Sequence, residues 1–366
     1  MLTEPIQSSH FKSPAKSPAE RVWLLADDVT GACDASAAFL SAGHAVRVWF
    51  GSRALFPAAE TAQAFHTASR GLGPEAAADA VSQAAAGLRL DSDTLLFKKV
   101  DSAGRGPIGA EVLALHRALG TRAVLLAPAF PAAGRTVRGG ILEVRDECGL
   151  VAQVDLRAWF APEIGPAMVT ISAADEVAPA LAGGKTVLVC NSAAQSDLEA
   201  LARAAGSLQG LLYAGSAGLA RAISSLHTVA APAVPAPAAA RTLVITGTLH
   251  RITALQLAAL RQRAMGREDV QILRIECNHE DGPEVRAACT SFNPEALIVT
   301  GGDTVQFVAE ALGAHSILLD GEFAPGIPWG RLQGGMAEGR IVVTKSGGFG
   351  SATALNDIVA ALSGVA

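Results

Sequence analysis

Short apolar runs alternate with alanine- and leucine-rich stretches of helical period along most of the chain. Residues 22–26 (VWLLA), 45–50 (AVRVWF), 94–100 (TLLFKKV) and 122–130 (RAVLLAPAF) read as strands, and residues 31–42 and 108–119 as helices. Gly43 and Gly120 stand just past two predicted helix ends and Pro107 at a predicted first turn, where each is favoured. The rhythm continues through TVLVCN at 186–191 and GLLYAGSAGLARAI at 210–223. Such alternation predicts parallel strands joined by crossover helices.

The rhythm breaks at residues 229–240, VAAPAVPAPAAA, a Pro/Ala stretch without charge or helical stripe that predicts a semi-rigid linker. Beyond it LVITG leads into a predicted helix at 251–264, ALIVTGGDT into one at 304–312, and RIVVTKSGGFG into one at 353–362. A chain of 366 residues exceeds the usual size of one α/β domain. The expected fold is therefore α/β in two domains, residues 21–228 and 241–366, each a mostly parallel sheet flanked by helices, with the active site in the cleft between them. Residues 1–20 are polar and Ser/Pro-rich without an apolar core, which predicts a disordered leader and not a signal peptide.

Half the residues are hydrophobic and 17% charged, enough apolar surface for two cores. The net charge of −5, with no basic run, leaves no electrostatic footprint for nucleic acid or an anionic membrane. No apolar run is long enough to span a bilayer. A small-molecule partner is favoured, with a homodimer as the candidate assembly. Cys33, Cys148, Cys190, Cys277 and Cys289 are scattered, odd in number and free of any zinc spacing, which predicts reduced thiols and a cytoplasmic location.

In a parallel sheet the ligand crevice lies beyond the carboxyl ends of the strands. The first strand ends in Asp27 and Asp28, and either of these or Thr30 can cap the next helix, which accounts for one acid and leaves the other over. FKKVDSAGRG ends another strand in Lys98, Lys99, Asp101, Ser102 and Arg105; side chains alternate along a strand, so only one of the two lysines faces the crevice. Cations beside carboxylates suit a ligand with both a carboxylate and hydroxyls. A structural ion-pair network among the same residues is the alternative.

The second half differs. VTGGDT places Gly301, Gly302, Asp303 and Thr304, and TKSGGFG places Gly347, Gly348 and Gly350, between a strand and a helix; ITGTL adds Thr246 and Thr248. Glycines there permit positive φ and let backbone N–H groups approach a phosphate. No GxxxxGK[ST] loop is present, which argues against a P-loop, and the GxGxxG of GRGPIG at 104–109 does not follow its strand directly, which argues against a nicotinamide-dependent oxidoreductase.

ADDVTGACD, KKVDSAGRG, APAFPAAGRT, GSAGLA, VTGGDT, APGIPWGRLQGG and VTKSGGFG together resemble, in order and spacing, the four-carbon acid sugar kinase family, across residues 22–358. The resemblance implies an N-terminal acid-sugar-binding domain, a C-terminal nucleotide-binding domain, and ATP-dependent phosphorylation of threonate, erythronate or an oxo-tetronate. It assigns Asp27, Asp28, Lys99, Asp101, Ser102 and Arg105 to the sugar acid, and Thr246, the run from Gly301 to Thr304, Gly347 and Gly348 to ATP. Asp28 or Asp27 is then the candidate base, and Mg²⁺ would bridge the ATP phosphates without an identifiable ligand set. Where the family usually reads Asp-Ser-Thr-Leu-Arg-Gly-Asn, this chain has Ala103, Gly104 and Pro107 at the third, fourth and last places. A non-catalytic sensor of the same fold, binding sugar acid and nucleotide, is the alternative that this departure raises.

Overall fold

Among the described residues one sheet of fourteen strands runs through both halves of the chain, with a separate meander of three strands beside it. The structure is a computed structural model that describes residues 21–51, 59–88, 90–91, 93–145, 149–227, 234–235 and 237–364. The predicted leader, residues 1–20, and residues 229–233 and 236 of the predicted linker lie outside the described residues.

The first half comprises β1 (Arg21–Ala26), α1 (Val29–Ala37), β2 (Val46–Trp49), β3 (Ala62–His66), α2 (Pro74–Ala85), β4 (Thr94–Lys99), α3 (Ile108–Leu119) and β5 (Ala123–Ala127). The meander follows as β6 (Arg135–Arg138), β7 (Ile141–Arg145) and β8 (Val151–Asp155). Then come α4 (Ala161–Ile164), β9 (Met168–Ile171), α5 (Val177–Ala182), β10 (Val187–Cys190), α6 (Gln195–Ala205), β11 (Leu211–Gly215) and α7 (Ala217–Ser225). The second half holds β12 (Thr242–Thr246), α8 (Arg251–Arg263), β13 (Val270–Arg274), α9 (Asp281–Ser291), β14 (Ala296–Thr300) and α10 (Gly302–Leu312). It closes with β15 (Ser316–Ala324), β16 (Ile327–Gln333), β17 (Ile341–Lys345) and α11 (Ala354–Leu362).

The strand order is β13-β12-β14-β17-β16-β15-β2-β3-β1-β4-β11-β5-β10-β9. The two expected parallel sheets are thus joined edge to edge: the hairpin β15–β16 is antiparallel, and β15 pairs antiparallel with β2, Ser316 opposite Trp49 and Leu319 opposite Val46. Arg47 holds the seam, donating from Nη1 to Ser316 Oγ at 2.8 Å while its other nitrogens clasp Glu60. Covering the free edge of β2 in this way removes an exposed row of strand donors and acceptors.

Strand interiors such as Leu24, Leu25, Phe97, Leu125 and Leu126 are fully buried, worth roughly 1.5–3 kcal/mol per side chain. Helix α1, VTGACDASA, is built of small residues, which lets it fit in the junction and touch α10, β15, β16 and β17 as well as β1, β3 and β4. Gly43 and Gly120 take left-handed φ of 84° and 60° just past their helices, as their positions predict. At the end of the expected linker Ala239 is already buried and donates its N–H to Leu362 O at 2.8 Å, packing against the second half. Among the described residues no helix is long and apolar enough to cross a membrane.

This topology places two switch points. In the first half the chain leaves β1 toward β2 and β3 on one side and β4 on the other; in the second it leaves β12 toward β13 on one side and β14 on the other. Crevices open beyond such points.

Candidate active site

The loop after β1 carries Asp27 and Asp28, and Asp28 caps α1. Its extended backbone (φ −143°, ψ 164°) lets Oδ1 accept from Gly31 N at 2.7 Å, while Oδ2 accepts from Thr30 Oγ1 at 2.9 Å. The loop after β3 brings in Arg70, which the sequence reading did not single out. Arg70 Nε donates to Asp27 Oδ2 at 2.6 Å and Nη1 to Asp28 Oδ2 at 2.8 Å, and Nη2 lies 3.6 Å from Asp101 Oδ1. One guanidinium therefore gathers three carboxylates from two other strand ends.

Electrostatics follow from that geometry. Burial works to raise the Asp27 carboxyl, but the charges of Arg70, Lys99 and Lys98 outweigh it and hold it below the usual carboxylate range. Asp101 is likewise buried yet held well below that range by Arg105, Arg70 and Lys99. Arg105 donates to Asp101 from Nε at 2.9 Å and Nη2 at 2.7 Å, and the backbone of Ala103 and Arg105 closes the same turn on Asp101 Oδ2. Gly104 in this turn has φ +76°, and a Cβ there would lie 3.3 Å from Val154 of the meander, so the departure from the family pattern makes a packed turn with every charge in place.

Strand alternation separates the two lysines. Lys98 Nζ pairs with Glu111 Oε2 of α3 at 2.7 Å with both side chains buried, on the face away from the cavity. Lys99 Nζ donates to Val100 O at 2.8 Å beneath the start of α1, where a Cβ on Gly31 would come within 3.1 Å of it.

A cavity of about 300 Å³ is lined from both halves. The first contributes Asp28, Asp34, Arg70, Lys99, Asp101, Ser102, Arg105, Arg135 and Ser216; the second contributes Thr248, His250, Gly301, Gly302, Gly347 and Gly348. Of the residues expected here, Asp27, Lys98, Thr246, Asp303 and Thr304 are not among the lining residues. Asp27 is enclosed behind Arg70, and Thr246 is buried at the end of β12. Thr304 faces inward, its Oγ1 accepting from Gly247 N at 3.2 Å, and Asp303 is exposed on α10.

The second half's glycines serve close approach more than left-handed backbone. Gly301 has φ +104° and Gly350 +85°, whereas Gly302, Gly347 and Gly348 do not have positive φ. A Cβ on Gly347 would lie 2.8 Å from Thr248 Oγ1, and one on Gly348 would lie 3.1 Å from the His250 ring. A Cβ on Gly302, at the N-terminus of α10, would lie 2.6 Å from Asp28 Oδ2.

Asp34 of α1 lines the cavity as well and is buried, with Arg221 Nη2 3.4 Å away. Desolvation pushes its carboxyl up to about 6 against the pull of Arg221 and Lys99.

The class is thus an α/β protein in which carboxylates and cations at one switch point share a cavity with glycine-lined helix and loop starts at another. A sequence model of a sugar-binding N-terminal domain matches residues 22–223, and one of a nucleotide-binding C-terminal domain matches residues 284–355. A D-threonate kinase of Bordetella bronchiseptica is 31% identical over 90% of this chain and 94% of its own length. A D-threonate kinase of Cupriavidus necator is 30% identical over 91% of this chain and 96% of its own. The crystal structure of a Haemophilus influenzae protein, at 18% identity, shares the fold with a TM-score of 0.67 over 93% of this chain and all of that one. The chain belongs to the four-carbon acid sugar kinase family.

Proposed function

We propose that the protein transfers the γ-phosphoryl group of ATP to a hydroxyl of a four-carbon sugar acid, with residues 21–228 holding the acid and residues 241–366 the nucleotide. The observation that carries this reading is the apposition of Asp28 and Gly302, which puts the acid-lined pocket directly against the start of α10. The names of the two relatives at about 30% identity make D-threonate the first acid to try, ahead of erythronate and oxo-tetronates.

Within the reading, the sugar acid's carboxylate meets Lys99 and Arg105, whose Nη1 takes no partner among the described residues, and Ser102 lies within the same wall. Asp28 is the carboxylate that orients the attacking hydroxyl and accepts its proton: Oδ1 receives a single hydrogen bond and keeps a lone pair. Asp27, enclosed behind Arg70, orients that guanidinium and does not touch substrate. Gly301, Gly302, Gly347, Gly348 and Thr248 form the phosphate site, with Thr304 bracing it from behind. Mg²⁺ is usually held by substrate phosphates with one or two carboxylates, and with ATP bound it would help neutralise the charge of the phosphates. Cys33, Cys190, Cys277 and Cys289 are free thiols and Cys148 lies outside the described residues; scattered, unpaired cysteines suit a reducing cytoplasm.

The test is ADP release by the purified protein with ATP and a panel of four-carbon acids. Release that depends on one of them supports the kinase reading. Binding of acid and nucleotide without turnover would instead establish a sensor.

A further inference from the structure

Lys345, the last residue of β17, is wholly buried, and its ammonium has no carboxylate within 4 Å among the described residues. It is satisfied entirely by backbone. Nζ donates to Ser346 O at 3.0 Å and Phe349 O at 3.1 Å and lies 3.5 Å from Gly347 O. Two side chains of α8 reinforce the same arrangement: Thr253 Oγ1 donates to Gly347 O at 2.8 Å, and Gln256 Nε2 donates to Phe349 O at 3.1 Å and Ser351 O at 2.7 Å. Lys345 also ties in the other glycine loop, since its own carbonyl accepts from Gly301 N at 2.8 Å.

The carbonyls of a loop cannot be drawn to one point without consequence for its donors. In a trans peptide the N–H points opposite to the preceding carbonyl, so gathering the oxygens of Ser346, Gly347 and Phe349 around Nζ turns the N–H groups of Gly347, Gly348 and Gly350 away from it. Ser346 to Phe349 line the cavity on that other side. Burying a cation with no counter-ion is costly, and here that cost is borne beneath a loop whose outer face is expected to meet phosphate.

We infer that Lys345 is a positioning residue for the nucleotide: its buried ammonium holds the 346–349 loop carbonyl-inward, so that the loop presents its N–H groups and an uncompensated positive charge to the phosphates. The inference rests on the reading of this half as the nucleotide site.

The surroundings also make it sensitive to pH. The side chains that α8 sends to the loop are the neutral Thr253 and Gln256, and β14 sets Thr300 beside Lys345 in register. Desolvation draws the ammonium down to about 7, with no charged neighbour contributing. The titratable group flanking the loop on its cavity side is His250. A nucleotide's phosphates favour the charged ammonium, so affinity is expected to fall as pH rises above 7.

Calorimetry on the full chain tests this with ATP and D-threonate as titrants. Lys345→Met is expected to raise Kd for ATP roughly tenfold or more while leaving Kd for D-threonate within about twofold, as loss of charge-assisted bonds at one subsite requires. The wild-type Kd for ATP is expected to rise between pH 7.5 and 9, by at most about tenfold per unit; the variant's, which keeps His250 and lacks only the ammonium, is expected to stay flat. A folded Lys345→Met protein with wild-type ATP affinity overturns the inference while leaving the nucleotide reading intact. If the variant does not fold, the wild-type series decides, and a flat profile overturns the inference. A wild type that binds D-threonate but no nucleotide at any pH overturns the nucleotide reading itself, and this inference with it.

Discussion

Asp28 and Gly302 touch across the two halves of the protein, the carboxylate of one standing where a side chain on the other would begin: a Cβ on Gly302 would lie 2.6 Å from Oδ2 and 3.4 Å from Cγ of Asp28. Because Asp28 also receives Arg70, Thr30 and Gly31, it has little room to retreat. Gly302→Ala is therefore expected to displace Asp28 or part the halves, lowering kcat by roughly a hundredfold, as misplacement of about an ångström can. It is also expected to weaken both substrates. Gly348→Ala faces only the His250 ring, and is expected to raise KM for ATP alone. Steady-state kinetics with each substrate varied separate the two; equal profiles for both variants would show that Gly302 is merely a turn residue.

Arg70 is the group that makes the acidic cluster tolerable. Arg70→Leu leaves Asp27, Asp28 and Asp101 without their shared cation, and breaking a buried charge set of this kind costs about 3–5 kcal/mol. Asp27 and Asp101 have depressed folded pKa values, so the stability they contribute is present above the ordinary carboxylate range and is lost as pH falls through the folded values. The difference in melting temperature between wild type and Arg70→Leu is expected to be largest near pH 7 and to shrink below pH 4. A pH-independent difference would assign Arg70 a packing role only.

The absence of Arg70 from the sequence reading has a physical origin. β1, β4, β12, β14 and β17 were legible because both faces are covered and their runs are rich in Val, Leu and Ile. β3 is equally buried but reads AQAFH, with Gln63 accepting from Trp49 Nε1 and no β-branched residue to mark it. Without that strand, the loop bearing Arg70 had no assigned place at a sheet end. The signal that could have exposed it is the lone arginine in HTASRG before a Gly-Leu-Gly-Pro turn, in a gap that needed one more strand. The hairpin β15–β16 was hidden by its Asp, Gly and Pro residues, which read as loop, and with it the continuity of the sheet. The loops that carry the motifs meet at one cavity; which of Asp27 or Asp28, Lys98 or Lys99, and Thr246 or Thr248 faces it depends on strand and turn direction, which residue identity alone does not fix.

Asp34 gives a linkage test of the opposite sign. Its folded carboxyl is raised to about 6 from 3.8, so the fold favours its protonated form, and the stability this provides is full below the ordinary carboxylate value and lost as pH rises through 6. Asp34→Asn mimics the protonated state. Relative to wild type, the variant is expected to gain stability as pH climbs from 4 to 7, by up to about 3 kcal/mol for a shift of this size. Denaturant unfolding at the two pH values measures it, and a gain that does not grow with pH would mean that Arg221 compensates the ionised carboxylate fully.

Arg105 decides whether the cation cluster serves a ligand or only itself. Two of its nitrogens are already spent on Asp101, which fits a structural network; but its side chain is 61% exposed on the cavity wall and Nη1 is free of partners among the described residues, which fits a ligand contact. If Nη1 meets the substrate carboxylate, Arg105→Ala is expected to raise KM for the sugar acid roughly tenfold, the low end for a charge-assisted bond given the exposure, with KM for ATP unchanged. Arg105→Lys can restore charge but not the fork that reaches Asp101 and the ligand together, so it is expected to recover only part of the loss. A structural role predicts a different outcome: both KM values rise together, melting temperature falls, and an uncharged amide of the sugar acid suffers as much as the acid does. Kinetics with the acid and its amide, on wild type and both variants, distinguish the two, and an amide that loses as much as the acid on Arg105→Ala would remove Arg105 from the substrate site.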